Sequence, residues 1–496
     1  MRFHFKPHAE FGTCPISEIE FKISSRHELT PILMALQHLY VHYQTELNDI
    51  LKLIQEDIGA PKQPKSGRVG MNCWEILVLA SVRLGCNMNF DQLEDLATNH
   101  KKLRQVMMIS NWDDKGFSRS SIHGNLYALK PETIQKISAK IVDIGHTLCD
   151  EPLKRVRGDS FVVQKNIHHP TDTNLLYDGC RKALELSNKL SEYFDIPGMR
   201  KHAYLKKEIK KVLRVILKTA SSRRKDRDEK LKSLYREMIE KALFIREKAI
   251  SILSALHQKS ITNEIVILPK WDGIRSELQY FIAGIDYIID LASRRMLEGE
   301  TIPNHDKVFS LFEPDTELIN RGKQPNPVEF GHRVFVVQDN AGFIIHHSVL
   351  DQGFTDEKIV FEVMNNLQGL YDGEIRAASF DKGFWSPNNF SNLSRIIDLV
   401  VLPKKGKHKD ADRARESSKE FGDMRKWHAG VESAIGALQA GNGLKVCRDK
   451  GVTGYSRYLS MGVLGRNLHT LGRILIEKER KKRKNNDVLM GLIMAA

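Results

Sequence analysis

A strand-like segment at 155–167 is followed by a helical pattern running from about 174 to 300, and strand-like segments return only at 328–350. A strand's backbone groups need partners. A chain with this order is therefore read as an α/β domain with a large helical block inserted into it. In the block, AYLKKEIKKVLRVILKTA places Leu205, Ile209, Val212, Leu213, Ile216 and Leu217 on one helical face, with lysines off it. That lysine run reads either as a solvated face or as a basic groove for a phosphate backbone. Further long helices are expected near 229–257 and 273–297.

On the other side of the first strand, residues 29–58 carry a helical apolar stripe, and 58–70 (IGAPKQPKSGRVG) is a Pro/Gly/Lys linker or loop. Trp74–Leu84 reads as a buried helix, and Asn89 as the N-cap of a short one. Short helices at 118–129 and 133–148 complete a helical N-terminal region, either helix-turn-helix-like or a plain bundle. After the hairpin at 328–350, with D-N-A-G at its turn, come a helix at 355–369, strands at 375–380 and 399–403, and a helix from Ser418. KKGKHKDADRARE (404–416) reads as a charged loop. The domains expected are 1–150, 151–475 with its insertion at about 175–300, and a basic mobile tail at 476–496.

The composition, 41% apolar and 28% charged over 496 residues, is that of a soluble globular protein. Neither a signal peptide nor an apolar run of membrane-spanning length is visible. The six cysteines form no CxxC pair and fit reduced thiols in a cytoplasmic protein. A net charge of +14 points to a polyanionic partner, most simply nucleic acid.

The first strand, R-V-R-G-D-S-F-V-V-Q-K, places Asp159 among Val156, Phe161, Val162 and Val163. A lone buried carboxylate is costly unless paired or bound to metal. Asp381 ends another strand, where Asp-Lys-Gly also suits a tight turn. In the helix from Ser418, Arg425, His428, Glu432, Gly436 and Gln439 form a stripe about 100° from the apolar one. Small residues around Glu432, including Gly430, leave room for something bulky. Two aspartates and a glutamate make a hard oxygen site, suited to magnesium or manganese rather than zinc. His168-His169 and His346-His347 are adjacent pairs in extended segments, so each pair offers at most one ligand per face. Lys404 and Lys405 lie in a basic loop that either touches phosphate or is a solvated turn.

Four ordered blocks resemble bacterial insertion-sequence transposases of the acid-triad (DDE) type. They are GDSFVVQKNIHHPTDTNLLYDG, KVFSLFEPDTE (307–317), SFDKGFWSP (379–387) and RKWHAGVESAIGAL (425–438), and they span roughly two thirds of the chain. The resemblance implies a ribonuclease H-like mixed sheet, with the first acid on the first strand, the second at the end of the adjacent fourth, and the glutamate on a later helix. By position these are Asp159, Asp381 and Glu432, acting as catalytic residues and as ligands of two Mg²⁺ or Mn²⁺ ions. Many relatives carry Tyr, Arg and Lys around the glutamate, where this chain has Arg425, His428 and Gln439, which places it in a divergent branch.

The function expected is DNA transposition: binding of terminal inverted repeats, cleavage at the element ends, and joining of the 3′-hydroxyls to target DNA. Lys382, Arg425, His428, Lys404 and Lys405 are the candidate DNA contacts. A homodimer on double-stranded DNA, located in the cytoplasm with the nucleoid, is expected. The alternatives are an inactive or domesticated DNA-binding protein and a related metal-dependent nuclease.

Overall fold

The computed structural model describes residues 3–6, 11–59, 70–114, 116–262, 266, 268–322, 327–353 and 356–495. Most of the linker read at 58–70 lies outside them. The chain divides into two compact units, Met1–Gln164 with Gly331–Ala496, and Lys165–Phe330. The protein is mixed α/β. Among the described residues no helix is long and apolar enough to cross a membrane.

The second unit is the helical block. It is built from α8 (Asp172–Tyr193), α9 (His202–Ala220), α10 (Arg227–Ile261) and α11 (Pro269–Ala292), numbered after seven N-terminal helices described below. The stripe read in α9 is buried through Ile209, Val212, Leu213 and Ile216 against Met238, Ala242 and Ile245 of α10. Leu217, assigned to that stripe, is 47% exposed, so the face is narrower than its periodicity implies.

The KVFSLFEPDTE block finds its use in this unit. Lys165 is buried, and its ammonium donates to Glu313 Oε2 at 2.8 Å and Asp315 Oδ1 at 2.5 Å. The pairing ties the segment entering the unit to the one leaving it. Removing the cation strands two carboxylates, one of them buried. Lys165→Met is therefore expected to destabilise the chain by about 3 kcal/mol, read as a lower urea midpoint by tryptophan fluorescence. Lys165→Arg is expected to recover part of the loss.

Among the described residues of the first unit, seven α-helices precede the sheet: α1 (Leu29–His42), α2 (Gln44–Ile58), α3 (Cys73–Gly85), α4 (Phe90–Asn99), α5 (Lys101–Val106), α6 (Arg119–Ala128) and α7 (Pro131–His146). Tyr43, at φ −132° and ψ 56°, breaks the helix expected over 29–58 into two. Asn89 caps α4 through a reciprocal pair with Gln92.

The strands are β1 (Arg155–Lys165), β2 (Glu317–Asn320, in the second unit), β3 (Val328–Gln338), β4 (Ile344–Val349), β5 (Ala377–Phe380), β6 (Leu399–Val401) and β7 (Val446–Cys447). β1 runs antiparallel to β3, which runs antiparallel to β4; on its other side β1 pairs parallel with β5, and β5 parallel with β6. Alternation sorts the side chains. Val156 shares one face with Ala378 and Phe380, covered by Val360, Met364 and Leu367 of α12 (Asp356–Leu370). Phe161 and Val163 point to the opposite face, with Val334 and Val336, and join the core of the N-terminal helices.

The expected 1–150 helical region thus shares one apolar cluster with the sheet. Beyond β5, α13 (Pro387–Leu393) is capped by Ser386, as its Ser-Pro start implies. The second half of the charged loop read at 404–416 forms α14 (Asp410–Glu416), whose start is held by the Asp412 carboxylate on the Lys409 amide. The helix expected from Ser418 is two helices, α15 (Lys419–His428) and α16 (Gly430–Ala440).

The last helix, α17 (Gly451–Ala495), runs on through the segment expected to be a mobile basic tail. It packs on α1, α3 and α7. Contact is close enough that a Cβ on Gly472 would lie 1.9 Å from the Pro31 carbonyl oxygen, so only glycine fits there.

Candidate active site

The sheet register brings Asp159 and Asp381 together. Gly158 pairs with Phe380 across the parallel β1–β5 ladder, so the next residues along, Asp159 and Asp381, stand side by side where β5 ends. Strand spacing puts such neighbours about 5 Å apart at the backbone. Asp159 is half-buried rather than enclosed, and its Oδ1 accepts from the Ser160 amide at 2.7 Å. Asp381 is exposed at the start of the turn Lys382–Phe384, which turns because Phe384 is buried in the core below.

Glu432 arrives on the helices that cover this same face. Phe421 and Met424 of α15 pack on Val401, with Trp427, Ala377 and Leu399 around them. Val431, Ile435 and Leu438 of α16 join the core with Phe161 and Val163. Glu432 follows Val431 and stays exposed. His428 links the groups. Its imidazole hydrogen-bonds to the Ser379 backbone and feels the charges of both Asp381 and Glu432. Burial lowers its pKa; Arg157 lowers it further, while the two carboxylates and the Ser379 contact oppose that. Its Nδ1 is buried with no hydrogen-bond partner among the described residues.

Sequence reasoning missed the residue that joins strand to helix. Arg157 lies two positions before Asp159, on the same face of β1. Its Nε and Nη2 donate to Gln338 Oε1 at 2.9 and 2.6 Å, and its Nη1 donates to the Trp427 carbonyl at 2.5 Å. The guanidinium also lies 4.5 Å from the centre of the Trp427 ring, with Arg155 at 4.6 Å. The helix breaks at this point. A Cβ on Gly430 would come within 2.1 Å of Arg157 Nη1. Gly430, read as space for a ligand, is space for this arginine instead; Gly436 does face open solvent. Arg155, Asp159 and Lys165 share that face of β1, so nothing in the sequence sets Arg157 apart from its charged neighbours.

The other candidates separate. Lys404 is engaged by Asp412 at 2.5 Å, and Lys405 donates to the Gly383 carbonyl at 2.9 Å, tying its loop to the turn after Asp381. Lys382 and Arg425 are exposed. Gln439 reaches the Val162 carbonyl at 3.4 Å.

His346 and His347 point to opposite faces, beside Phe335 and on Ser460 respectively. Burial lowers their pKa values to about 4 and about 3. Each is neutral when folded, whereas the unfolded chain protonates them below about 6.5. Their contribution is complete above that pH and is lost as pH falls, down to about 4 for His346 and about 3 for His347, at about 1.4 kcal/mol per pH unit for each. A thermal-unfolding series is expected to show this acid loss, with a smaller slope in His347→Asn.

Among the described residues no three His, Cys, Asp or Glu side chains are placed closely enough to hold a metal ion. The donor chemistry nonetheless fits magnesium, which is commonly held by one or two carboxylates with water and substrate oxygens completing its shell. Asp159 and Asp381 supply such a pair. Compared with known proteins, the chain matches no family model, no curated protein and no solved structure.

Proposed function

We propose that this protein is a metal-dependent DNA transposase whose ribonuclease H-like domain cuts at the ends of its element and joins them to target DNA. The observation that carries this reading is the placement of Asp159 and Asp381 at adjacent positions of parallel neighbours, with the Glu432 helix packed on the same face. Leaving β2 aside, β5 is the fourth sheet strand in the chain, so the first acid lies on the first strand and the second just after the fourth, the order the sequence resemblance implies.

Mg²⁺ or Mn²⁺, expected as a pair of ions, would activate the attacking water or hydroxyl and stabilise charge on the leaving oxygen when bound. Asp159 and Asp381 would hold these ions, and Glu432 would complete the site. His428, kept neutral by burial, leaves the carboxylate charge available to cations. The net charge of +14 suits a DNA partner. Joining two ends calls for a dimer. The N-terminal helices are the proposed readers of the terminal inverted repeats, and the cytoplasm with the nucleoid the proposed location.

The test is incubation of the protein with duplexes carrying the DNA that flanks its reading frame, in Mg²⁺. Cuts at the element boundary that leave 3′-hydroxyls are expected, followed by joining to a second duplex. The lack of a closed three-ligand cluster among the described residues favours a second reading, a DNA-binding protein without catalysis. Binding of the ends without cutting in either ion would decide for it. Cutting without joining of precut ends would make the protein a nuclease.

A further inference from the structure

The loop after β6, α14 and Arg425 in the last turn of α15 border an open cleft of about 670 Å³, within the same unit as the acids. Lys407, His408, Arg413 and Arg425 line it, with Glu416 as its one carboxylate. Glu416 is already occupied: Arg415 donates to it at 3.0 Å, the Lys404 amide at 2.9 Å, and His408 Nε2 lies 3.5 Å away. Among the described residues, the ion pair of Arg413 is an exposed contact to Asp410 at 3.6 Å. Lys407 and Arg425 are exposed and in no ion pair identified among the described residues. Lys404 and Lys405, two of the five candidate DNA contacts read from the sequence, are used internally.

Two features aim this cleft at the acid site. Arg425, His428 and Glu432 follow at spacings of three and four on one helical side, and Ala429 between the two helices keeps helical dihedrals. Arg425 therefore stands about 10 Å from Glu432 along the axis. The opposite wall of the cleft, the loop carrying Lys407 and His408, is tied by Lys405 to Gly383, two residues after Asp381.

We propose that this cleft binds backbone phosphate of the DNA strand running into the acid site, about three nucleotides from the bond that is cut at the B-form rise of 3.4 Å per nucleotide. The proposal rests on the reading of Asp159, Asp381 and Glu432 as a DNA-cleaving centre. Cations that are paired within the protein cannot release counterions from DNA, whereas Lys407 and Arg425 can. The chemistry recognised is the phosphodiester, without regard to base.

The experiment is fluorescence anisotropy of the full-length chain with a labelled element-end duplex over a series of salt concentrations. Arg425→Gln and Lys407→Gln are each expected to reduce the slope of log K against log salt by about 0.9, the value for one lost phosphate contact. Lys426→Gln removes the same charge from the next position on α15 but does not line the cleft, and is expected to keep the wild-type slope. Wild-type slopes in Arg425→Gln and Lys407→Gln would overturn the proposal, as would an equal fall in Lys426→Gln. The wild-type cleavage assay separates the two ideas. Cutting with unchanged slopes removes the cleft and leaves the transposase reading; reduced slopes without cutting leave a DNA cleft on a protein that does not cleave.

Discussion

Asp381→Asn and Asp159→Asn are each expected to slow metal-dependent cleavage of element-end DNA by a thousand-fold or more, about 4 kcal/mol in the barrier. Asparagine keeps the size of the side chain and removes the charge that holds a hard cation. Asp381 is exposed at a strand end, so its replacement leaves packing untouched. Asp159 is half-buried, and an amide oxygen can still accept from the Ser160 amide. Unfolding midpoints and DNA affinity should therefore stay near wild type while turnover is lost. Cleavage at the wild-type rate in either variant would remove that residue from the site. Glu432→Gln should lower the rate as well, by less if Glu432 only completes the shell.

Arg157→Ala is expected to have the second largest effect, and on two readouts. It removes bonds to Gln338 and Trp427 and the stacking on the Trp427 ring. Hydrogen bonds to a charged group are worth about 1.5–3 kcal/mol each, and those lost here overlap, so a destabilisation of about 3 kcal/mol is expected in chemical denaturation. The same change frees the junction between α15 and α16 from the strand that carries Asp159. Cleavage should therefore fall further than the lost stability accounts for, and half-maximal rate should need more Mg²⁺. Gly430→Ala separates the effects, because its Cβ displaces the guanidinium while the arginine remains in the chain. A stability loss with an unchanged magnesium requirement in both variants would make Arg157 a structural residue only.

Much of the architecture was legible because it follows from local pattern. The stripe in α9, the Asn89 and Ser386 caps and the D-N-A-G turn depend on residues a few positions apart. The interruption of the sheet by a helical block was visible as a change of period. What escaped depends on residues far apart in sequence. The helix read from Ser418 has an unbroken periodicity, and the arginine that meets it at the 428–430 break, Arg157, lies 270 positions before Trp427. The KVFSLFEPDTE block had no role in the sequence reading beyond the resemblance, and its acids pair with Lys165, about 150 positions earlier. Lys404 differs, because its partner Asp412 lies in the same charged segment and is missed when 410–416 is read as loop rather than as α14; Lys405 reaches the Gly383 carbonyl, which its own neighbourhood does not reveal. For the carboxylates, the sequence reading places Asp159 and Asp381 on strands, and the register then puts them side by side.

Whether Asp159, Asp381 and Glu432 form one metal site, as proposed, is tested without any DNA by ferrous-ion cleavage of the polypeptide. Fe²⁺ can substitute for Mg²⁺ at an oxygen site, and with ascorbate and peroxide it generates radicals that cut the backbone beside its ligands. Scission is expected near residues 159, 381 and 432 together, suppressed by excess Mg²⁺ and lost at all three in Asp381→Asn. Scission elsewhere, or at these positions but unaffected by Asp381→Asn, would contradict it.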